Sequence, residues 1–448
     1  MFSAMPITRK SPMRFNTSAR GPLGMNGYQW VVLAAAWLGW GFDVFDGLLF
    51  NYVAPNCVPT LLHLGIGSLE AKRATLLWTG ILTSTLLLGW AAGGIIFGSL
   101  ADRIGRARTL MLTMTLYAVG TACCAFAPNI GILLLFRLVA ALGIGGEWAA
   151  GAAMVAEVVP EKRRVEAGAL LYTSAPFGLF LATFVNQQIA GGVLASRPDI
   201  SWRYVFLCGL IPAFVAVLFR VFVREPERWQ ASAKTTAPAR IAELFQPGAL
   251  RLTISGLIPA LTVLIMWWSC NAFTPVVAKD LALSTGHPKL AQSWITLATT
   301  CFNWGGLIGT LLTIPAAKYL GRRPMFALYF LLSSAALFTT FGLHLPPHTR
   351  LYLYFFVGLT VFGVFGSFTY YLPELFPTRL RGTGAGFCYN TGRIIASAGP
   401  FLVGYLASQG VNALQTTLHI LFTLGYVPLI GLCFLPWVIE TKGQALPD

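Results

Sequence analysis

Long apolar stretches alternate with short polar segments along nearly the whole of this 448-residue chain. A helix needs about 20 predominantly apolar residues to cross a hydrocarbon core ~30 Å thick. Twelve stretches meet that requirement, at residues 28–52, 76–100, 108–127, 130–157, 166–193, 202–223, 251–277, 291–317, 324–343, 350–372, 383–408 and 414–438. The pattern predicts an all-α integral membrane protein with twelve transmembrane helices.

The composition excludes a soluble globular protein. Hydrophobic residues make up 56% of the chain, charged residues only 10%, and the mean hydropathy is +0.68, whereas soluble domains carry roughly 25% charged residues. The net charge is +15, but the charges lie in loops between apolar stretches, which indicates membrane topology rather than nucleic-acid binding. The eight cysteines show no metal-binding spacing, so we predict no metal site. We also predict no other cofactor and no nucleic-acid partner, and we expect the lipid bilayer to surround the protein.

The basic residues predict an orientation. With the amino terminus inside, the inner loops hold 22 Lys and Arg and the outer loops hold 7, which places both termini in the cytoplasm of a cell (inner or plasma) membrane protein. We divide the chain into a cytoplasmic basic tail (1–27), a six-helix bundle (28–224), a cytoplasmic linker (225–250), a second six-helix bundle (251–438) and a cytoplasmic tail (439–448). The Arg-rich, acid-free start is also typical of an organelle presequence.

The two bundles carry an internal repeat. The segment AEVVPEKRR follows the fourth helix and PELFPTRLR follows the tenth, so that Glu157 and Arg164 align with Glu374 and Arg381 at one common offset. In the same way, GSLADRIGRAR after helix two pairs with AAKYLGRRP after helix eight. Because each copy has six helices, the repeat is parallel, which is typical of transporters.

These motifs resemble those of the major facilitator superfamily across nearly the whole chain. GSLADRIGRAR at 98–108 is similar to the signature that follows helix two, and Arg137 within FRLVAALGIGG is similar to the helix-four signature. The resemblance implies the major facilitator fold of two parallel six-helix repeats, alternating access around a midplane site, and a protein able to function as a monomer. The chain departs from the pattern at Lys318, where the second copy is expected to carry Asp.

Other segments resemble particular branches of that superfamily. REPERW, ELFPTRLRGTG and ETKGQ are similar to the sugar-porter and organic-ion branches. GIGGEWAAGAAMVAEVVP and the Asp pair in AWLGWGFDVFDGLLF look closer to bacterial metabolite:proton symporters of carboxylates, such as the aromatic-acid and sialate carriers. The resemblance therefore implies proton-coupled transport of a small metabolite.

Ionisable residues inside the predicted helices are candidate functional groups, because burying a charge in hydrocarbon costs about 2.5–3.5 kcal/mol on insertion scales. Asp43 and Asp46 share one face of helix one, and two nearby carboxylates in a low dielectric disfavour double ionisation. Glu147 lies in helix four, near the midplane of the membrane. In the resembled family, the arginine at the position of Arg137 is implicated in coupling protonation to substrate binding. We predict Asp43, Asp46, Glu147 and Arg137 as the proton-coupling group. Structural pairing or a packing seam is the alternative for each.

Arg393 lies about ten residues into helix eleven, near the midplane. An arginine cannot lose its proton and favours a bidentate carboxylate contact, so we predict that it binds a substrate carboxylate. The alternative is a structural pair with Asp43, Asp46 or Glu147. Polar and aromatic residues on neighbouring helices complete the predicted substrate site: Asn390, Tyr389, Asn186, Gln187, Trp268, Asn271 and Tyr370.

The repeated motifs predict a gate at the cytoplasmic helix ends. Asp102 ends helix two, and we expect it to face the positive amino-terminal end of helix eleven. Exposed ion pairs are worth only about 0–1 kcal/mol each, which suits a latch that must open; the alternative is a solvated loop that serves topology. The gate candidates are Gly98, Asp102, Arg103, Gly105, Arg106, Glu157, Arg164, Arg322, Glu374 and Arg381.

Together these residues favour a secondary active transporter that carries a small organic anion with a proton. A sugar or polyol carrier is the first alternative, and a membrane sensor on the same scaffold is the second. The chain has no P-loop, no HExxH motif and no dinucleotide-binding glycine motif outside the hydrophobic helices, so we predict that it is not an enzyme.

Overall fold

The computed structural model describes residues 22–104, 106–160, 163–210, 214, 240–377 and 380–444. Within these ranges the side chains at 23, 98–99, 101–104, 106–108, 110, 146–154, 156–157 and 164 are not described.

Helices occupy each of the twelve predicted spans. They are α1 (Gly27–Leu61), α2 (Leu69–Ile104), α3 (Arg106–Cys124), α4 (Ile130–Val158), α5 (Arg164–Tyr172 and Ser174–Gln188), α6 (beginning as Pro198–Cys208), α7 (Pro247–Asn271 and Thr274–Ser284), α8 (Ala291–Pro315), α9 (Arg322–Gly342), α10 (Pro347–Val357 and Phe368–Leu375), α11 (Arg381–Ala396 and Ala398–Gln409) and α12 (Ala413–Thr423 and Tyr426–Phe434). Single π-helical turns extend α5 over Ile189–Val193 and α8 over Ala316–Leu320, and a π-helical turn (Gly358–Phe362) followed by a 3₁₀ turn (Gly363–Ser367) joins the two parts of α10. The all-α prediction is confirmed.

Length and apolarity agree with a membrane protein. Among the described residues, eight helical stretches of 21 to 38 residues are long and apolar enough to cross a membrane. The main difference from prediction is that α1 continues past position 52, to Leu61.

Three of the helices begin after an asparagine that caps them. Asn26 accepts a hydrogen bond from the Gln29 backbone N–H at 2.9 Å, and Asn129 and Asn412 cap α4 and α12 in the same way. Each cap satisfies a backbone donor that the first helical turn leaves open.

Four of the interrupted helices carry a proline that explains the break. A proline lacks the N–H that would bond the carbonyl four residues earlier. The breaks in α5, α7, α11 and α12 fall at or just after that carbonyl, one turn ahead of Pro176, Pro275, Pro400 and Pro428 respectively. The sequence therefore bends these helices near their middles.

The internal repeat extends to close backbone packing. A Cβ on Gly93 in α2 would lie 2.0 Å from the Leu142 carbonyl oxygen of α4, and a Cβ on Gly309 in α8 would lie 2.0 Å from the Leu359 carbonyl oxygen of α10. Gly93 aligns with Gly309, and Leu142 with Leu359, in the two copies of the repeat. Only glycine fits such a contact, so we call the α2–α4 and α8–α10 contacts the glycine seams.

The helices form two halves, α1–α6 and α7–α12, that pack against each other. We call the face at which α1 begins and α12 ends the terminal face, and the other the opposite face. Most of the large buried side chains lie between helices, and the exposed large hydrophobic residues, such as Phe184, Trp304 and Phe401, lie on the outer surface of the bundle. Some of the functional candidates, among them Arg393, lie at the interface between the halves.

Candidate functional site

A buried arginine lies at the centre of that interface. Arg393 in α11 is 2% exposed, and its guanidinium carbon lies 4.4 Å from the ring centroids of both Trp90 and Tyr389. Nη1 donates to the Asn390 Oδ1 at 3.1 Å, while the buried Nε–H has no hydrogen-bond partner. Among the side chains that the structure describes, no carboxylate lies within 4.0 Å of this guanidinium. Two aromatic rings therefore hold the cation.

Aromatic side chains from both halves surround Arg393. Trp90 in α2 contacts Trp40 of α1 at 6.1 Å and the edge of Trp268 of α7 at 5.8 Å between ring centroids. We call this group the aromatic cage, and none of its members is more than 6% exposed: Trp40, Trp90, Tyr172, Trp267, Trp268, Phe362, Phe365 and Tyr389. Its walls are thus apolar, with indole and phenol groups as the polar points.

Two tyrosines related by the repeat meet inside the cage. Tyr172 of α5 and Tyr389 of α11 align at the same offset as Glu157 and Glu374, and both are buried, at 4% and 2% exposure. The ring of Tyr172 stacks on Phe365 at 5.9 Å between centroids. The two tyrosines are thus equivalent in the repeat, but only the α11 copy is followed by a buried arginine, Arg393.

The predicted substrate residues divide between two places. Tyr389, Asn390 and Trp268 lie with Arg393, whereas Tyr370 lies near the terminal face, where it donates to the Met325 sulfur at 3.4 Å. Asn186 and Asn271 are buried, at 2% and 7% exposure, nearer the opposite face than Arg393. Gln187 accepts from Thr296 of α8 at 2.6 Å, and so joins the two halves.

The predicted proton-coupling residues form a separate buried group. The Asp43 and Asp46 side chains are 0% exposed and Arg137 is 1% exposed. Arg137 Nη1 donates to the Asp46 backbone carbonyl at 3.1 Å, and Nη2 donates to the carbonyl of Gly47. Both carboxylate oxygens of Asp46 are buried without a hydrogen-bond partner. Arg137 therefore lies beside Asp46 without forming an ion pair with its carboxylate.

The terminal face carries an ion cluster within the second half. Arg322 donates to both carboxylate oxygens of Glu374, at 2.7 and 3.0 Å, and Thr441 donates to Glu374 at 2.6 Å. Glu440 accepts from the backbone N–H groups of Arg322, Arg323 and Lys442 at 2.8 to 3.0 Å. Burial raises the pKa of Glu440, but these N–H groups outweigh it and hold the pKa below its ordinary value.

The other gate candidates have different positions. Arg381 donates from Nε to the Pro373 carbonyl at 3.0 Å, and so closes the turn between α10 and α11. Gly105 lies outside the described residues. Gly98 and the side chains of the remaining gate and coupling candidates also lie outside them: Asp102, Arg103, Arg106, Glu147, Glu157 and Arg164.

Residue Lys318 makes a contact that the sequence did not predict. Its Nζ lies 2.5 Å from Glu166 Oε1, which joins the end of α8 to the first turn of α5 across the two halves. Glu166 also accepts from Arg163 at 3.1 Å. The sequence singled out Lys318 as a departure from the family pattern, but gave no signal for its partner 152 residues away.

The halves also touch beyond the cage. Ser84 of α2 donates to the carbonyl of Ser397, one turn after Arg393 in α11, at 2.5 Å, and Lys279 of α7 donates to the Pro55 carbonyl of α1, nearer the opposite face, at 2.8 Å. Contacts between the halves therefore lie on both sides of the aromatic cage. Sequence reasoning missed Trp90 and Tyr172 altogether; for Tyr172, its alignment with Tyr389 in the repeat was an available signal.

The site contains the chemistry of an anion receptor rather than of a metal centre. Among the described residues, no group of three or more His, Cys, Asp or Glu side chains lies close enough together to hold a metal ion. The polar points of the cage near Arg393 are chiefly N–H and O–H groups, which suit a small molecule with acceptor oxygens.

Comparison with known proteins gives a consistent result. Residues 37–400 match the model of the Major Facilitator Superfamily. The chain is 30% identical over 421 residues to the "Probable 4-methylmuconolactone transporter" of Cupriavidus pinatubonensis, covering 92% of this chain and 91% of that protein. It is 27% identical over 399 residues to the gentisate transporter of Corynebacterium glutamicum, covering 87% and 84%. The crystal structure of a D-xylose-proton symporter shares the fold, with a TM-score of 0.72, 19% identity, and coverage of 94% of this chain and 100% of that one.

Proposed function

Because this chain belongs to the major facilitator superfamily, we propose that it is a secondary active transporter that carries a small organic carboxylate together with a proton. It is a multi-pass membrane transporter of small molecules and not an enzyme. The substrate class, the proton coupling and the orientation are the parts we propose.

The environment of Arg393 is the observation that carries the proposal. A guanidinium stays charged at this depth, and a buried donor without an acceptor costs about 1–3 kcal/mol. The Nε–H of Arg393 and the indole N–H groups of Trp90 and Trp267 are all buried donors without a partner. A carboxylate supplies a charge for the arginine and acceptors for such donors, whereas a sugar would leave the positive charge unbalanced.

The apolar side chains of the aromatic cage restrict the proposed class of substrate further. The cage offers ring faces and edges to the rest of the molecule, which favours a planar, unsaturated or aromatic acid over a polyhydroxylated one. The printed names of two relatives, a gentisate transporter and a 4-methylmuconolactone transporter, support the same choice. No polar residue outside the Arg393 group is needed to neutralise such a substrate.

Coupling to the proton is assigned to Asp46. Its carboxylate is fully buried without a hydrogen-bond partner, and Arg137 lies against the backbone of the same turn. Protonation of Asp46 removes a buried charge, and its ionisation draws the Arg137 guanidinium toward the carboxylate. Asp43 on the same face is the second candidate, and Glu147 remains a third.

Uptake into proteoliposomes tests the proposal. Labelled benzoate, lactate and sialate are compared with glucose under an imposed inward proton gradient, in the wild type, Arg393→Gln and Arg393→Lys. We expect gradient-dependent uptake of carboxylates, lost with Gln and at least about tenfold weaker with Lys, because an ammonium lacks the bidentate geometry. Arg350→Lys is the matched control, since Arg350 is also a buried arginine but bonds only backbone carbonyls at 2.8 to 3.4 Å.

Glucose uptake that survives Arg393→Gln would refute the carboxylate assignment and place the protein among sugar carriers. Asp43→Asn and Asp46→Asn separate the two carboxylates in the same assay. The variant of the proton carrier should keep substrate exchange without a gradient and lose gradient-driven accumulation. If both variants still accumulate substrate, neither acid carries the proton.

The remaining assignments follow from the fold. We place the terminal face in the cytoplasm, with both termini, and propose that a single chain is the functional unit. On that face we assign the gate to Arg322, Glu374 and the equivalent motif in the first half, beside the Lys318–Glu166 ion pair that joins the halves. Asp102→Asn should therefore slow transport without reducing the amount of folded protein; unchanged transport at unchanged expression would argue against the gate.

A further inference from the structure

One aromatic residue of the cage joins the two halves at the substrate site. Trp90 belongs to α2 in the first half, and Arg393 belongs to α11 in the second half. Their cation–π contact, 4.4 Å from guanidinium carbon to ring centroid, crosses the interface at its centre. The Trp90 side chain is only 2% exposed, and its indole N–H has no hydrogen-bond partner.

The position of Trp90 is fixed by its neighbours. A Cβ on Gly145 of α4 would lie 1.9 Å from the Trp90 carbonyl oxygen, so the backbones touch there. Gly47 of α1 lies under the far edge of the indole, within 3.8 Å if it carried a Cβ. Trp268 meets the ring edge-on, with an interplanar angle of 79°. The indole is therefore held in one orientation by α1, α4 and α7.

The repeat shows that the fold does not require a tryptophan here. At the offset that relates Gly93 to Gly309, the residue equivalent to Trp90 in the second half is Gly306. At the offset that relates Leu142 to Leu359, the residue equivalent to Gly145 is Phe362, whose ring lies against Gly306. The same seam is thus built with the aromatic ring on the other helix. A large ring on α2 is an addition to the architecture, placed where the single arginine lies.

One edge of the Arg393 guanidinium has a donor without a partner, in addition to the ring contact with Trp90. The rings of Trp90 and Tyr389 pack against it, while Nε–H, at its edge, has no partner. A carboxylate binds a guanidinium at the edge and in its plane. A planar acid that binds there lies beside the indole, where ring-to-ring contact is available to an aromatic skeleton and not to a saturated one.

We propose that Trp90 is a specificity-determining residue, which selects planar π-systems among carboxylates by stacking from the first half on a substrate that Arg393 holds from the second. This inference rests on the proposed function, because it assumes a carboxylate on Arg393. Aromatic contacts of this kind are worth about a 2- to 12-fold preference.

Competition between two acids of similar size and equal charge tests the proposal. Benzoate and cyclohexanecarboxylate differ in the planarity of one six-membered ring. Their kcat/KM values are measured in proteoliposomes for the wild type, Trp90→Phe and Trp90→Leu. Trp294→Leu is the control. Trp294 is another buried tryptophan, 8% exposed, but it lies near the start of α8, away from the cage, where it packs on His348 of α10.

We expect the wild type and Trp294→Leu to prefer benzoate. In Trp90→Leu the preference should fall by about 2- to 12-fold, mainly through a loss for benzoate. Trp90→Phe keeps a ring and should retain most of the preference, and this conservative variant carries the test if the leucine variant does not fold.

An equal fall for both acids in Trp90→Leu would overturn the proposal, because it indicates a structural role, and so would an unchanged ratio. Loss of all preference in Trp90→Phe would also overturn it. The proposed function fails separately: the wild type would then transport neither acid, or Arg393→Gln would transport both.

Discussion

The ion pair between Lys318 and Glu166 predicts a measurable charge-reversal effect. The resemblance to the superfamily leads to an aspartate at position 318, equivalent to Asp102 in the first half. Asp102 is expected at the positive amino-terminal end of α11, and Lys318 lies at the corresponding end of α5. A cation is unfavourable at that end of a helix, and Glu166 in the first turn compensates for it.

The size of the effect follows from the exposure of the two side chains. Lys318 is 41% exposed and Glu166 is 12% exposed, at a separation of 2.5 Å, so water screens the pair and its contribution is at most about 1 kcal/mol. That corresponds to roughly a fivefold change in the ratio of closed to open terminal face. In Lys318→Met the ratio of closed to open terminal face should fall by this fivefold amount. Lys318→Glu adds a repulsion of similar size, so the ratio should fall by about 25-fold.

The assay is the reaction rate of a single cysteine at Thr369 with a membrane-impermeant maleimide, in a variant without the native cysteines. Thr369 lies against Gly168 across the two halves, and a Cβ on that glycine would be 2.8 Å from the Thr369 hydroxyl. The double variant Lys318→Glu/Glu166→Lys should restore most of the protection, and high salt should reduce the differences. Equal labelling in all four proteins, or no restoration in the double variant, would refute the reasoning.

Three further predictions concern packing, pH and the opposite face. Gly309→Ala should destabilise the protein by about 1–3 kcal/mol, seen as a lower unfolding temperature in detergent, whereas Gly386→Ala, which meets no atom within 4 Å, should not. The lowered pKa of Glu440 means that its stabilisation is complete above the ordinary value of about 4.3 and is lost as the pH falls through the lowered value. The unfolding temperatures of wild type and Glu440→Gln should therefore differ at about pH 6 and converge as the pH falls through that lowered value. Lys279→Met removes the hydrogen bond that Lys279 donates to the Pro55 carbonyl of α1. In this variant a cysteine introduced between the halves should react faster with a maleimide added from the opposite face than in the wild type. Equal reaction rates in the two proteins would contradict a latch at that face.

Apolar length and internal repetition were enough to predict the helices and their order. An apolar stretch of about 20 residues has few alternatives to a membrane helix, and the alignment of the two copies recurs in the packing of Gly93 and Gly309. These properties depend on local composition, which the sequence displays directly.

The contents of the site were harder to predict, because they depend on which way each helix faces. Tyr370 was expected beside the substrate, but it lies in the last segment of α10, Phe368–Leu375, beside Met325 near the terminal face. The π-helical and 3₁₀ turns that precede this segment also change the direction in which its residues point. Trp90 was missed because a transmembrane tryptophan is commonly an interface anchor. Arg393 was singled out because a charge at the midplane is costly and marks a candidate functional group by default, and the structure places it among buried aromatic rings.

The glycine seams have a consequence for which parts of the protein can move relative to one another. Where two backbones touch without an intervening side chain, as at Gly93 and Gly309, neighbouring helices cannot slide without colliding. Each seam therefore behaves as a stiff joint, and the compliant surface is the one between the halves. A substrate that binds at Trp90 and Arg393, as we propose, would act on two stiff units, and the displacement between them would be larger at the helix ends, where Lys318 meets Glu166, than at the centre.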